Sequence, residues 1–211
     1  LATATGPAQE IVIADQLDPT MVDLGTFSFG PIAFGNTRVN VPAPGSSFST
    51  LVDLRPARSL LVKITASLNP NSGLMTWRLT PIDPATSDLP ADPRIGFLPP
   101  NRTPPEGDGS VLFTVKPRGE LGTGTQIRNK ASIVFDTNSP IETPTWINTI
   151  DSDKPQSRVS SLPSTTTTST FNVNWTGSDL GAGIADYTVF VSEDSGPFMA
   201  WRTNTAGTSA P

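Results

Sequence analysis

Hydrophobic and polar positions alternate along much of the chain, in short runs that Gly, Pro and Asn interrupt. The clearest run extends from Leu60 to Leu68, where every second residue is apolar, and a second alternating run extends from Leu74 to Ile82. The segment Asn69–Gly73 between them is rich in the residues that favour tight turns, because Gly and Asn adopt positive φ readily. The pattern therefore predicts a β-hairpin with one face of each strand in a core.

Similar short runs predict further strands on both sides of this hairpin. They are Ile11–Ile13, Phe27–Phe34, Arg38–Val41, Val111–Val115, Ala131–Phe135 and Trp146–Ile150. Residues 83–109 contain many prolines, which cannot donate to a ladder, so they predict a long irregular connection packed on the sheets. No segment has the 3.6-residue apolar stripe of a helix.

A second series of alternating runs follows a polar segment at residues 151–156, which we interpret as a linker. These runs are Ser157–Leu162, Phe171–Trp175, Ala185–Ser192 and Phe198–Thr203. The sequence thus predicts an all-β protein of two tandem β-sandwich domains, residues 1–150 and 157–211. We expect the second domain to be incomplete, because an immunoglobulin-like sandwich has about seven strands in ~100 residues.

Composition narrows the function classes. The chain has 22 Pro and 17 Gly but neither Cys nor His, which excludes a disulfide framework, a thiolate nucleophile and a Ser-His-Asp triad, and argues against a zinc site. Its formal net charge is −5 and it has no cluster of Lys and Arg, so we expect no nucleic-acid partner. No apolar run approaches the ~18 residues that a membrane span needs.

Carboxylates are the remaining acid–base groups. Glu106, Asp108, Glu120, Glu193 and Asp194 all lie close to Gly or Pro in predicted turns, where solvated acidic residues are common. A glycosidase needs two carboxylates about 5–10 Å apart in a cleft, and this pattern does not predict one. We therefore expect the chain not to be an enzyme.

Two pairs of oxygen-bearing side chains are candidate calcium ligands. Asp151 and Asp153 lie in the predicted linker, and Asp136 and Asn138 lie in a turn before it. Hard oxygen ligands at alternate positions of a loop suit Ca²⁺. The same residues also favour Asx-turns, in which the side chain bonds to nearby backbone N–H groups, and the sequence leaves both interpretations open.

Two sets of motifs resemble known families. Residues 124–141, GTQIRNKASIVFDTNSPI, together with Asp15–Pro19, DQLDP, resemble conserved-repeat domains of large bacterial surface proteins. Residues 157–205, with Phe171–Trp175, Gly177–Asp179 and Gly183–Tyr187, resemble a fibronectin type III or immunoglobulin-like module. These resemblances imply tandem sandwiches in secreted or wall-associated proteins, where they act as spacers, adhesive stalks or assembly modules.

The expected function is therefore a non-enzymatic structural or adhesive module of an extracellular bacterial surface protein or filament. Its expected partners are further copies of itself or neighbouring domains of the same protein. The alternative is an accessory carbohydrate-binding module of a secreted enzyme, in which exposed tryptophans would stack on sugars.

Two explanations account for the short second domain. One is truncation of the chain. The other is completion by a strand from another chain, with Phe171, Trp175 and Tyr187 as the interface and residues 1–9 as the donor strand.

Overall fold

The structure, a computed structural model, describes residues 4–42 and 45–211. No helix occurs among these residues, and the elements are strands and turns, so the predicted all-β class is confirmed. The chain divides into two compact units, one of Leu1–Glu120 and Ile127–Ile147 and the other of Leu121–Gln126 and Asn148–Pro211. The division therefore lies a few residues before the expected boundary at 150, and it places the short segment 121–126 with the second unit.

The first unit contains two antiparallel sheets. Its strands are β1 (Ile11–Gln16), β2 (Val22–Phe34), β3 (Thr37–Val39), β4 (Ser47–Asp53), β5 (Leu61–Leu68), β6 (Leu74–Ile82), β7 (Gly109–Pro117), β9 (Ala131–Phe135) and β10 (Ile141–Glu142). One sheet has the order β10-β9-β1-β6-β5-β4 and the other the order β3-β2-β7. Strands β8 (Gln126–Asn129) and β11 (Trp146–Thr149) form a separate pair, and the division between the units falls within them.

The predicted hairpin is present as β5 and β6. Its register pairs Leu68 with Met75 and Ile64 with Leu79. Burial alternates along both strands, as the apolar pattern predicts for strands with one face in a core. The turn closes at Gly73, whose φ of 77° lies in the left-handed region that favours glycine.

The core of the first unit lies between its two sheets. Ile64 and Met75 of the six-stranded sheet and Ile32 of β2 are fully buried in one cluster. An aromatic group joins the two layers, because the Trp77 ring lies 5.6 Å from that of Phe29. This arrangement of two sheets around one apolar layer is a β-sandwich.

The proline-rich connection at residues 83–108 packs on this sandwich. Phe97 and Leu98 are buried, and the Phe97 ring lies 5.3 Å from that of Phe34. Arg58 Nη1 donates a hydrogen bond to the Phe97 carbonyl oxygen at 2.6 Å. The expectation of a packed loop is confirmed.

The second unit is built of short strands around a small core. Its strands are β12 (Gln156–Val159), β13 (Val173–Ser178), β14 (Tyr187–Val191), β15 (Met199–Thr205) and β16 (Ser209–Ala210). They form one sheet in the order β12-β13-β16 and a second sheet of β14 and β15. Trp175 and Val189 are its buried apolar residues, and the Trp175 ring lies 6.4 Å from each of the Tyr187 and Trp201 rings.

No helix that could cross a membrane is found within the part of the chain that the structure describes.

Candidate functional sites

The Asp151 carboxylate caps a glycine-rich loop of the second unit. Its Oδ2 accepts a hydrogen bond from the Ala182 N–H at 2.8 Å, and Gly181 lies so close that a Cβ there would overlap the carboxylate. Asp179 Oδ2 accepts from the N–H groups of Gly181 and Gly183, both at 2.9 Å. The Asp153 contact involves its backbone, since its N–H donates to Thr123 Oγ1 at 2.9 Å. Asp151 thus acts in this structure as a loop cap.

Asp136 and Asn138 also bond to backbone. Asp136 has a φ of 53°, and its Oδ1 accepts from the N–H groups of Gln9 and Glu10 at 2.9 and 2.8 Å. Asn138 Nδ2 donates to the Phe135 carbonyl oxygen at 2.8 Å. Over residues 4–42 and 45–211, no group of three or more acidic, His or Cys side chains is placed to hold a metal ion. The calcium site stays a prediction, and in this structure the side chains of Asp136 and Asn138 are hydrogen-bonded to backbone groups.

Substitution of Asp151 by Ala separates the two interpretations. We expect a loss of about 1–2 kcal/mol in the stability of the second unit, because a hydrogen bond to a charged acceptor is removed. The loss should be the same in calcium and in excess chelator when thermal unfolding is followed by calorimetry. Asp153→Ala is the matched control and should change little. If both variants lose a calcium-dependent increase in melting temperature, the calcium site is established instead.

The predicted interface residues differ in exposure. Trp175 is only 3% exposed and Tyr187 is half-buried, so strands of the second unit already cover them, while Phe171 is 44% exposed. Of the predicted donor strand, residues 1–3 lie outside the described residues. Ala8 is bridged to Leu98 and the Gln9 side chain donates to two carbonyl oxygens of residues 92–95, so this part of the segment contacts the first unit.

The hairpin of β14 and β15 has an exposed apolar face. Phe190 pairs with Ala200, and Phe198 directly precedes β15, two residues before Ala200. Phe190 is 55% and Phe198 is 74% exposed. Among the described residues, β14 is hydrogen-bonded to β15 on one side and to no strand on the other. We call Phe190, Phe198 and Ala200 the hairpin face.

The four tryptophans do not form an exposed strip. Trp77 and Trp175 are buried, Trp201 is half-buried with the Arg202 guanidinium 5.1 Å from its ring centre, and Trp146 is 71% exposed. A sugar-binding platform usually needs aromatic rings that face solvent together. Of the four tryptophans, Trp146 is therefore the one exposed enough to stack on a sugar, as the carbohydrate-binding alternative requires.

A groove of about 660 Å³ lies on the first unit. Its wall includes Pro7, Pro99, Pro100, Phe135 and Asp136. Among the described residues that line this groove, Asp136 is the one with an ionisable side chain, and its Oδ1 already accepts two backbone hydrogen bonds. These residues do not include the pair of carboxylates that acid–base hydrolysis of a glycoside uses.

Asp15 is a buried acidic residue that the sequence analysis did not single out as a site. It is 6% exposed and lies on the same face of β1 as Ile11 and Ile13, which face the core. Asn129 Nδ2 donates to Asp15 Oδ2 at 2.8 Å. Burial raises the pKa of Asp15, while the hydrogen bond from Asn129 lowers it to a smaller extent. Asp15 Oδ1 and Asn129 Oδ1 are both buried without a hydrogen-bond partner.

The sequence contained a signal for this pair. Asp15 continues the alternation of Ile11 and Ile13, so it falls at an inward position, and both Asp15 and Asn129 belong to the motifs that resemble surface-protein repeats. Their meeting across 114 positions of sequence could not be inferred, because strand order is set by tertiary pairing.

Three surface aspartates have a lowered pKa, whereas the pKa of Asp15 is raised. A hydrogen bond from Arg55 lowers the pKa of Asp53 to about 2, and the pKa of Asp92 is lowered in the same way by Arg94. Hydrogen bonds from Thr20 lower the pKa of Asp18. These groups are exposed, so the ion pairs add little to stability.

The comparisons with known proteins give one match. A family model described as a domain of unknown function (DUF7619) matches residues 94–149. No curated protein and no solved structure matched the chain. The matched segment contains β7, β9 and Asn129 but not β1 and Asp15, and the description of the family carries no activity.

Proposed function

We propose that this chain is a non-enzymatic structural or adhesive module of an extracellular bacterial surface protein or filament, which spaces or assembles through its β-sandwich units. The observation that carries the proposal is the hairpin face next to an open edge of β14. Large apolar side chains on a hydrogen-bonding edge favour association with another strand.

The geometry of β14 supports assembly rather than ligand binding. A strand with an unpaired edge offers N–H and C=O groups to any chain that can extend beside it, and Phe190 adds apolar area on the same strand. Natural sheets commonly protect such edges with Lys or Pro, and β14, Tyr-Thr-Val-Phe-Val, contains neither. A second copy or a neighbouring domain would cover this surface.

The positions of the carboxylates support a non-enzymatic role. Glu106 Oε1 accepts from the Thr103 N–H at 2.9 Å, and Asp108 Oδ1 accepts from Asn101 Nδ2 at 2.6 Å. Both contacts hold turns of the proline-rich connection. Acidic residues that were candidates for catalysis in the sequence therefore organise loops in the structure.

The extracellular location rests on the resemblance to surface-protein repeats and on the composition. A chain with no Cys needs no particular redox environment, which suits an exported protein. Antibodies raised against the chain should label intact cells of the source bacterium without permeabilisation.

Self-association tests the proposal directly. Analytical ultracentrifugation over a range of concentrations should show reversible association of the full chain. Substituting Phe190 and Phe198 by Lys should weaken this association at least tenfold. Association would bury these two apolar side chains, and the substitutions replace them by charges of the same sign, which repel each other. Leu180→Lys is the matched control, since Leu180 is 84% exposed in the glycine-rich loop of the same unit and away from β14 in sequence.

Two results would contradict the proposal. A chain that stays monomeric at the highest soluble concentration does not assemble through this edge. Equal weakening by the Leu180 variant would show that any exposed apolar residue suffices, so the hairpin face would have no special role.

A further inference from the structure

The buried pair of Asp15 and Asn129 presents an incomplete set of hydrogen bonds. One bond is made, from Asn129 Nδ2 to Asp15 Oδ2, while the Oδ1 atoms of both side chains are buried and have no donor. Buried polar atoms in folded proteins are almost always hydrogen-bonded, so two unsatisfied acceptors in one pair require an explanation. A proton on the carboxyl would supply a donor to a pair that has two acceptors without one.

We propose that Asp15 is held as the neutral acid, with its Oδ1–H donating to Asn129 Oδ1, and that its ionisation at higher pH weakens the first unit at the end of the β1–β9 ladder. The pair then has two antiparallel hydrogen bonds, the arrangement that a carboxylic acid and a primary amide form with each other. The proton adds the donor that an ionised carboxylate and an amide oxygen both lack.

The surroundings of Asp15 favour the neutral form. The carboxyl lies on the inward face of β1 with Ile11 and Ile13, and burial in an apolar layer disfavours a charge. Burial is also the largest influence on its pKa, which is raised, and no cation contributes.

The charged groups on neighbouring elements are engaged elsewhere or lie on other faces. On β6 the charged residue is Arg78, which is ion-paired with Glu10. Strand β9 has no charged residue. Arg128 and Lys130 flank Asn129 at exposed alternate positions, and Lys130 Nζ lies 3.1 Å from Glu142 Oε2. The opposite sheet carries Asp23 on β2 and Lys116 on β7, both exposed.

The position of the pair makes one end of the β1–β9 ladder sensitive to pH. Asp15 and Ala131 form the last register pair between β1 and β9, and Asn129 lies two residues before Ala131. Ionisation of Asp15 would remove the donor to Asn129 Oδ1 and leave a charge in an apolar layer, which costs stability at this end of the ladder. The first unit should therefore be loosened as the pH rises through the pKa of folded Asp15, beginning at this end of the ladder.

The direction in which stability changes with pH follows from the proton that folded Asp15 holds. Because the folded state holds this proton more tightly than the unfolded chain, the stabilisation is fully present below the usual pKa of an aspartate. It is lost as the pH rises through the higher pKa of folded Asp15. Asp18, whose pKa is lowered by Thr20, should show the reverse dependence and lose its contribution as the pH falls.

Carboxyl ¹³C NMR of the intact protein labelled at aspartate tests the protonation state without any mutation. One aspartate resonance should stay at the protonated position to a higher pH than the others and titrate above them. If no aspartate carboxyl titrates above the others, the proposal is overturned, whatever the stability measurements show.

A pair of variants tests the consequence for stability. Above the ordinary pKa of an aspartate, the melting temperature of the wild-type first unit should fall with rising pH relative to that of Asp15→Asn, in which an amide pair replaces the acid–amide pair and nothing ionises. Asp18→Asn is the matched control and should keep the wild-type slope over this range. Parallel curves for wild type and Asp15→Asn, or a lost slope in the control, contradict the proposal.

Discussion

Replacement of Trp77 by Ala should lower the free energy of unfolding of the first unit by about 3–5 kcal/mol, the range for truncating a large buried aromatic residue. Trp77 is 1% exposed and lies between the two sheets. Its ring is 5.6 Å from that of Phe29 and 6.2 Å from that of Phe113, so the substitution leaves a cavity at the point where both layers meet. Urea denaturation followed by far-ultraviolet circular dichroism measures the loss.

Trp146→Ala is the matched control for this prediction. Trp146 is 71% exposed, so its truncation should cost about 1 kcal/mol or less. Trp77→Phe should lose less than Trp77→Ala, because the Phe ring fills much of the space that Ala leaves empty. Neither change breaks a hydrogen bond of the indole N–H, which is buried without a partner. Equal losses for the Trp77 and Trp146 alanine variants would show that the core is not organised around Trp77.

Gly73→Ala should destabilise the first unit by about 2 kcal/mol or more, from two separate causes. At a φ of 77° the residue is in the left-handed region, where a side chain is strained. A Cβ would also lie 2.5 Å from the carbonyl oxygen of Leu17, and that atom belongs to backbone that cannot move aside easily. The Leu17 N–H donates to the Gly73 carbonyl oxygen at 3.1 Å, so the same clash opens this contact.

Two other glycines of the first unit separate the two causes. Gly35 has a φ of 52° and a Cβ there would be 3.4 Å from the nearest atom, so Gly35→Ala should cost about 1 kcal/mol from strain alone. Gly119 has neither positive φ nor a close neighbour, and Gly119→Ala should be close to neutral. A Gly73 variant no worse than the Gly35 variant would remove the close approach of Leu17 from the explanation.

The positions of the strands could be predicted from the alternation of apolar residues, because this pattern depends only on residues that are close in sequence. The period of two in Leu60–Leu68 and Leu74–Ile82 fixes which side chains face one way, and Asn69–Gly73 can form only a tight connection. The hairpin, the absence of helix and the packed proline-rich loop all follow from such short-range rules. Oxygen-rich turn residues were located in the same way. The structure places Asp136 and Asn138 in a turn and Asp151 in an irregular segment, each with its side chain bonded to backbone.

Tertiary structure alone decided which strands became neighbours. Strand β1 lies between β6 and β9, and Asp15 of β1 meets Asn129, which lies just before β9. Segment 121–126 belongs to the second unit although it precedes β9 in sequence. No local pattern encodes these pairings. The same holds for exposure, since Trp175 is covered while Phe190 and Phe198 face solvent, although all three lie in apolar runs. The physical reason is that alternation defines two faces of a strand, whereas the packing of distant strands determines which face is buried and which edge stays open.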